Sequence, residues 1–220
     1  MPPSTSLGLV SNTFSIVFVC TGNRFRSPLA EAFVRRLSRG LPVTTESFGT
    51  LELEDAPALP EALEIGLRCG LDLSSHRTRH VGHASLDQVD LVLGFDETHV
   101  QRAVVDAKAP RRRAFTLRGI ARLLPAAEVS PQEDVILRAR HALDQLEEMR
   151  AADLESRRHD DMQDPFGRSW NVYRETAAEI RELSILLVET LFGITDTRGL
   201  PPVPTKRDRS RWSLWPLRRD

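Results

Sequence analysis

Apolar positions along this chain fall into short solid runs alternating with helix-spaced series. Phe14–Val19 (FSIVFV) is an apolar, β-branched run, the pattern of a buried strand. It gives way to a polar stretch, Cys20-Thr21-Gly22-Asn23-Arg24-Phe25-Arg26. Ser27-Pro28 then opens a helix, because Ser is a favoured N-cap and Pro a favoured first helical residue. Leu29, Ala30, Phe33, Val34 and Leu37 recur at helical spacing, and Gly40 is expected to stop the helix. Val43–Phe48 reads as a second strand. Strand, helix and strand in such close succession form a βαβ unit with parallel pairing.

The alternation continues with a helix over Pro57–Cys69 ending at Gly70, a strand over Asp90–Phe95, a helix over Glu97–Ala107 and a strand over Ala114–Leu117. Asn171–Leu191 is a long amphipathic helix with Ile180, Leu183, Leu186, Leu187 and Leu191 facing inward. The pattern predicts one α/β domain over residues 14–192, a four-stranded parallel sheet with helices on both faces. Ligands of such sheets bind outside the carboxyl ends of the strands, which makes the loop after Cys20 the place for a site. Two segments look added. Residues 131–158 carry Ile136, Ala139, Leu143, Leu146 and Met149 at helical spacing among dense charges, read as an amphipathic insertion helix laid on the domain. Residues 1–13 and 201–220 are read as flexible tails. Trp212, Trp215 and the arginines of the second are a subsidiary candidate for a membrane-surface or partner contact.

Composition narrows the function classes. The 220 residues are 40% hydrophobic and 28% charged, enough for one sizeable core. The best apolar run falls far short of the roughly 20 residues of a membrane-spanning helix. No basic residue precedes it, so a secretory signal is not expected. Two cysteines exclude a disulfide scaffold and a Cys-rich zinc site and suit a reducing cytoplasm. The net charge of −1 conceals a local imbalance: the last twenty residues hold six Lys/Arg against two Asp, the rest 24 basic against 29 acidic. A body with that balance is not a nucleic-acid binder. There is no Walker-type Gly-Lys-Ser/Thr for a nucleotide, and no residue cluster calls for a metal or cofactor.

The loop after the first strand carries the chemistry. Cys20 is followed six positions on by Arg26, then Ser27 and a helix N-terminus. Backbone N–H groups in such a strand-to-helix loop converge on an anion, and the helix dipole adds partial positive charge. Arg26 can grip two phosphate oxygens at once. The same field favours thiolate over thiol, so nucleophile and phosphoryl cradle come together. A buried structural cysteine is the bland alternative. Cys69 is read as core, and His99, His141 and His159, lacking a partner pattern, as surface residues.

Cys20–Ala32 (CTGNRFRSPLAEA) resembles the signature loop of low-molecular-weight protein tyrosine phosphatases. Ser47-Phe48-Gly49-Thr50, Leu73–Arg79, Asp90–Asp96 and Asp164-Pro165-Phe166-Gly167 resemble further stretches of that family, in family order. The resemblance implies a flavodoxin-like strand order, Cys20 as nucleophile, Arg26 as phosphate clamp and Asp164 as general acid. Asp160 and Asp161 are nearby rivals for the acid. Thr21, Gly22, Asn23, Arg24, Phe25 and Ser27 would hold the phosphate. Asn23, Ser27, Ser47 and His76 would support the loop, and Phe166 would supply a substrate wall. The implied activity is metal-independent hydrolysis of phosphotyrosine protein, or a related aryl phosphate, through phosphocysteine. The setting is cytoplasmic, with a bacterial-type tyrosine kinase as counterpart. Alternatives are a non-catalytic phosphate-binding module or a phosphatase for another phosphorylated substrate.

Three departures bear on substrate. Phe25 stands where many members carry a second cysteine, which excludes a loop-internal disulfide and disfavours arsenate reduction. Arg24 replaces an apolar residue or Thr and adds positive field, disfavouring a cationic phosphoarginine substrate. Leu51–Ala58 lacks the usual aromatic residue. The chemistry needs an ionised thiol beside a protonated carboxyl, whereas unperturbed pKa values near 8.5 and 3.9 run the other way round. An acidic optimum, about pH 5–6.5, is therefore expected.

Overall fold

The computed structural model describes residues 12–53, 55–129, 134–152, 160–193, 197 and 199–204. Four strands, β1 (Phe14–Cys20), β2 (Val43–Gly49), β3 (Leu91–Gly94) and β4 (Ala114–Thr116), form one sheet in the order β2-β1-β3-β4. Every pairing is parallel, which is the flavodoxin-like order. Because side chains alternate along a strand, β1 feeds both faces. Ile16, Phe18 and Cys20 join Leu91, Leu93 and Phe115 in the larger core, and Val17 and Val19 join Val92 and Ala114 in the smaller.

Helices α1 (Arg26–Leu37), α2 (Pro60–Arg68), α4 (Leu117–Leu123), α5 (Val135–Ala152) and α6 (Trp170–Phe192) bring their buried residues to the larger core. Helix α3 (Glu97–Asp106) covers the other face through Val100 and Ala103.

The expected elements are present, with three differences. Ser27 does not cap α1. The N-cap is Phe25, without a side-chain cap bond, and Ser27 lies inside the first turn because its hydroxyl is engaged elsewhere. Helix α4 was not expected. It follows a three-residue strand directly, its N-cap Thr116 accepting the Gly119 N–H. Helix α5 is part of the core, since Ile136, Ala139, Ala142, Leu143 and Leu146 are all buried in it. The segments flanking it, 130–133 and 153–159, lie outside the described residues, as do residues 1–11 and the tail with Trp212 and Trp215. The described start of that tail packs down: Leu200 and Val203 are buried, and Arg181 donates to the carbonyls of Leu200 and Pro201.

Candidate active site

The loop between β1 and α1 is held by its carbonyls. The Cys20 carbonyl accepts from Thr50 N–H, that of Thr21 from Thr50 and Leu51, that of Arg24 from Leu59 and that of Phe25 from Leu29. The carbonyl of Asn23 accepts from His76 Nε2 at 2.6 Å. With these carbonyls bonded outside the loop, its N–H groups are left for the concave side, the kind of strand-to-helix turn that can bind an anion. Gly49, paired with Cys20 across the strands, is required for this closeness: a Cβ there would stand 2.9 Å from the Thr21 carbonyl oxygen and 3.1 Å from Asn23 Cβ.

Asn23 is the loop's organising residue. It is fully buried and left-handed (φ 49°), a conformation Asn tolerates better than most side chains. Its N–H donates to Cys20 Sγ at 3.2 Å, and its Oδ1 accepts the Arg79 N–H. Its Nδ2 donates to both Ser27 Oγ and Ser47 Oγ at 2.9 Å. Ser47 passes its own proton to Glu31 Oε2 at 2.6 Å. Ser27 Oγ, already accepting from Asn23, lies 3.0 Å from Cys20 Sγ and can donate to it. The Ser27 hydroxyl also faces the Phe48 carbonyl at 3.3 Å, so its one proton is shared between that carbonyl and the sulfur, while the Asn23 N–H donates to the sulfur outright. His76 is half-buried, and burial holds its pKa below the ordinary range although the Asn23 carbonyl favours the charged ring.

Arg26 is buried and its guanidinium is committed on two sides. Nη1 donates to the Met162 carbonyl at 3.0 Å, while Nη2 donates to Thr21 Oγ1 at 3.0 Å and to Asp164 Oδ2. Asp164 lies on a strap that runs past the carboxyl ends of the strands. There the Met162 N–H donates to the Phe95 carbonyl and the Glu97 N–H to Asp161 Oδ1. Arg122 pairs with Asp160 at 2.9 Å, and Arg118 donates to the Asp161 carbonyl. The strap therefore uses Asp160 and Asp161 as anchors and presents Asp164 to Arg26. Asp164 Oδ1 accepts the Phe166 N–H, and the Gly167 N–H donates to the Tyr173 hydroxyl at 3.2 Å.

Phe25 is buried, its ring edge-on to Tyr173 with centroids 4.9 Å apart. Arg24 is half-buried and donates through Nε to the Pro57 carbonyl at 2.9 Å. Phe166, two residues after Asp164, is 68% exposed, and Leu51 and Leu53 in the loop after β2 are exposed as well. Leu53 Cδ1 lies 3.7 Å from the point where a Cβ on Gly22 would stand.

A model of the low molecular weight phosphotyrosine protein phosphatase family matches residues 15–129, more than half of the chain. The chain belongs to that family. It is 34% identical over 103 residues to the low molecular weight protein-tyrosine-phosphatase Etp of Escherichia coli (strain K12), a match covering 47% of this chain and 67% of the relative. It is 27% identical over 178 residues to the protein-arginine-phosphatase of Bacillus subtilis (strain 168), covering 80% of this chain and 95% of the relative. Among solved structures, the low molecular weight protein tyrosine phosphatase from T. tengcongensis superposes with a TM-score of 0.59 at 27% identity. That match covers 81% of this chain and all of the other.

As a member of this family the chain is a cysteine-dependent phosphatase. Reading the sequence missed four groups of its site. Glu31 lies one turn beyond Ser27 on α1, a helical spacing that could have pointed to it. Tyr173 and the Met162 carbonyl had no local signal. The fourth is His99, whose sequence context reads as surface but which is 2% exposed. Its Nε2 lies 3.0 Å from Thr21 Oγ1. Burial, then the nearby Arg26 charge, lower its pKa to about 3, against the pull of Asp164 and Asp161. Cys69 is buried in the core, and burial raises its thiol to about 11. His141 is exposed, and His159 lies outside the described residues.

Proposed function

We propose that this phosphatase hydrolyses phosphotyrosine in proteins, or a related aryl phosphate, through a phosphocysteine at Cys20. The thiolate attacks phosphorus, the bond to the tyrosyl oxygen breaks, and Asp164 gives its proton to the departing oxygen. Water then attacks the phosphocysteine while the Asp164 carboxylate takes its proton, releasing phosphate and restoring the thiolate. The loop N–H groups and Arg26 hold the equatorial oxygens throughout. Every role is filled by a side chain or backbone group.

One observation carries this reading: Arg26, six residues after the buried sulfur, meets Asp164, a carboxylate from the other end of the domain. Acid and clamp stand side by side over the loop that holds the sulfur. Leu53 and Phe166 supply apolar walls suited to an aryl ring.

A second substrate reading, phosphoarginine in proteins, draws on the arginine phosphatase relative, whose match runs over 178 residues. Arg24 weighs against it, since its guanidinium at the rim repels a substrate of the same charge. Equal concentrations of phosphotyrosine and phosphoarginine protein decide between them. The phosphotyrosine reading expects the higher kcat/KM for the first, and an equal or higher value for the second would replace it. The setting we propose is the cytoplasm, opposite a bacterial-type tyrosine kinase. Among the described residues no helix is long and apolar enough to cross a membrane.

A further inference from the structure

His99 is a buried group that the family motifs leave unused, and it meets the same threonine hydroxyl as Arg26. It is the third residue of α3, where Gly94 lets the helix start approach β3. A Cβ on Gly94 would stand 2.8 Å from Val100 Cγ2 and 3.0 Å from His99 Cβ. The ring closes a capping box: the His99 N–H donates to Asp96 Oδ1 at 2.9 Å, and the Asp96 N–H donates to His99 Nδ1 at 3.1 Å.

The tautomer follows from these partners. Nδ1 has two close neighbours, the Asp96 N–H and, at 3.1 Å, Asp96 Oδ1. A backbone N–H can only donate, so a proton on Nδ1 would set two N–H groups against each other. Protonating both nitrogens would also place a second buried cation near Arg26. The neutral ring therefore carries its proton on Nε2 and donates it to Thr21 Oγ1. Arg26 Nη2 donates to the same oxygen. A hydroxyl has two acceptor sites and one proton. With both sites filled, Thr21 can act only as a donor, and among the described residues no acceptor receives its proton.

That proton sits beside the amine of Arg26 that also meets Asp164. An oxyanion that takes the place of the carboxylate on Nη2 comes next to Thr21 Oγ1. We propose that His99 is a positioning residue that commits the Thr21 hydroxyl to donate to the bound phosphoryl group, adding a side-chain donor to the backbone cradle. This rests on the phosphatase reading of the same site. The charged or titratable groups facing the ring are Arg26 on α1, Asp96 at the start of α3, and Asp161 and Asp164 on the strap.

The test is a double-mutant cycle read by calorimetric binding of inorganic phosphate, with turnover of an aryl phosphate measured separately. Thr21→Val and His99→Leu should each weaken phosphate binding about 10- to 100-fold, as for a lost hydrogen bond to a charged group. The double variant should bind within about twofold of either single one. Thr21→Ser and His99→Gln, which keep the hydroxyl and a donor near the Nε2 position, should recover most of the loss. A purely structural His99 would instead give losses that multiply in the double variant. Multiplied losses, or a Thr21→Val variant that binds phosphate like the wild type, would overturn the proposal. Thr21→Val leaves His99 in place and so decides even where His99→Leu does not fold. A wild-type chain that binds phosphate without turning over an ester would refute the phosphatase reading while the cycle still judged His99. One that binds no phosphate would refute both.

Discussion

Arg26 and Asp164 form an ion pair in which the guanidinium is buried (2% exposed) and the carboxylate is open to solvent (43%). On the proposed mechanism the carboxylate occupies the guanidinium edge that a phosphoryl oxygen needs, so acid and ligand compete for the same amine. Asp164→Ala removes the competitor and the proton donor together. Phosphate or vanadate should bind up to about 5-fold more tightly, the span of a partly exposed ion pair. Turnover of phosphotyrosine substrates should fall about 10²- to 10⁴-fold. Weaker oxyanion binding in this variant would contradict the arrangement.

Phe25 and Tyr173 connect the phosphate loop to the acid loop, because the Tyr173 hydroxyl accepts the Gly167 N–H while its ring meets Phe25. The two halves of the contact should separate by mutation. Tyr173→Phe keeps the ring and loses one hydrogen bond, so stability should drop by only about 1 kcal/mol while kcat falls. Phe25→Ala empties a buried site and should cost about 3–5 kcal/mol. Denaturant melts beside single-turnover rates check both. Unchanged kcat in Tyr173→Phe would show that this tie does not hold the acid loop.

Much of this was legible before any coordinates. The apolar runs of β1 and β3 are short and solid because both sheet faces are covered, and the turn-rich spacing between them fixes the βα alternation. The Cys20–Ser27 loop announces itself because its chemistry is contiguous. What stayed hidden depends on tertiary approach. His99 and Thr21 are 78 positions apart, and they meet only because β1 and β3 are neighbours and Gly94 draws α3 inward. Ser27 has the residue type of an N-cap, but its hydroxyl is drawn to Cys20 and Phe48. The apolar series along α5 reads as the inner face of an amphipathic helix, and Leu143 and Leu146 are fully buried there. Helix α4, with 7 residues, is too short to show a period.

Burial of His99 and His76 makes folding sensitive to acid. Both rings take up a proton less readily in the folded chain than at the ordinary value near 6.5, His99 only at about 3. Between those values the unfolded chain holds more protons, so stability rises with pH and is lost as pH falls below about 6.5. Each ring can contribute a slope of up to about 1.4 kcal/mol per pH unit. His99→Gln removes one of the two, and its stability should fall less than that of the wild type between pH 6.5 and 4. Equal acid limbs in urea melts would contradict a neutral, buried His99.

On the proposed mechanism Cys20 is the nucleophile and Asp164 its acid. Hydrolysis of para-nitrophenyl phosphate from pH 4 to 9, in EDTA, tests it most directly when the wild type is compared with Cys20→Ser. The predicted result is activity with a maximum below about pH 7 in the wild type and none in the variant. Activity persisting in Cys20→Ser, or a maximum above about pH 8, would contradict it.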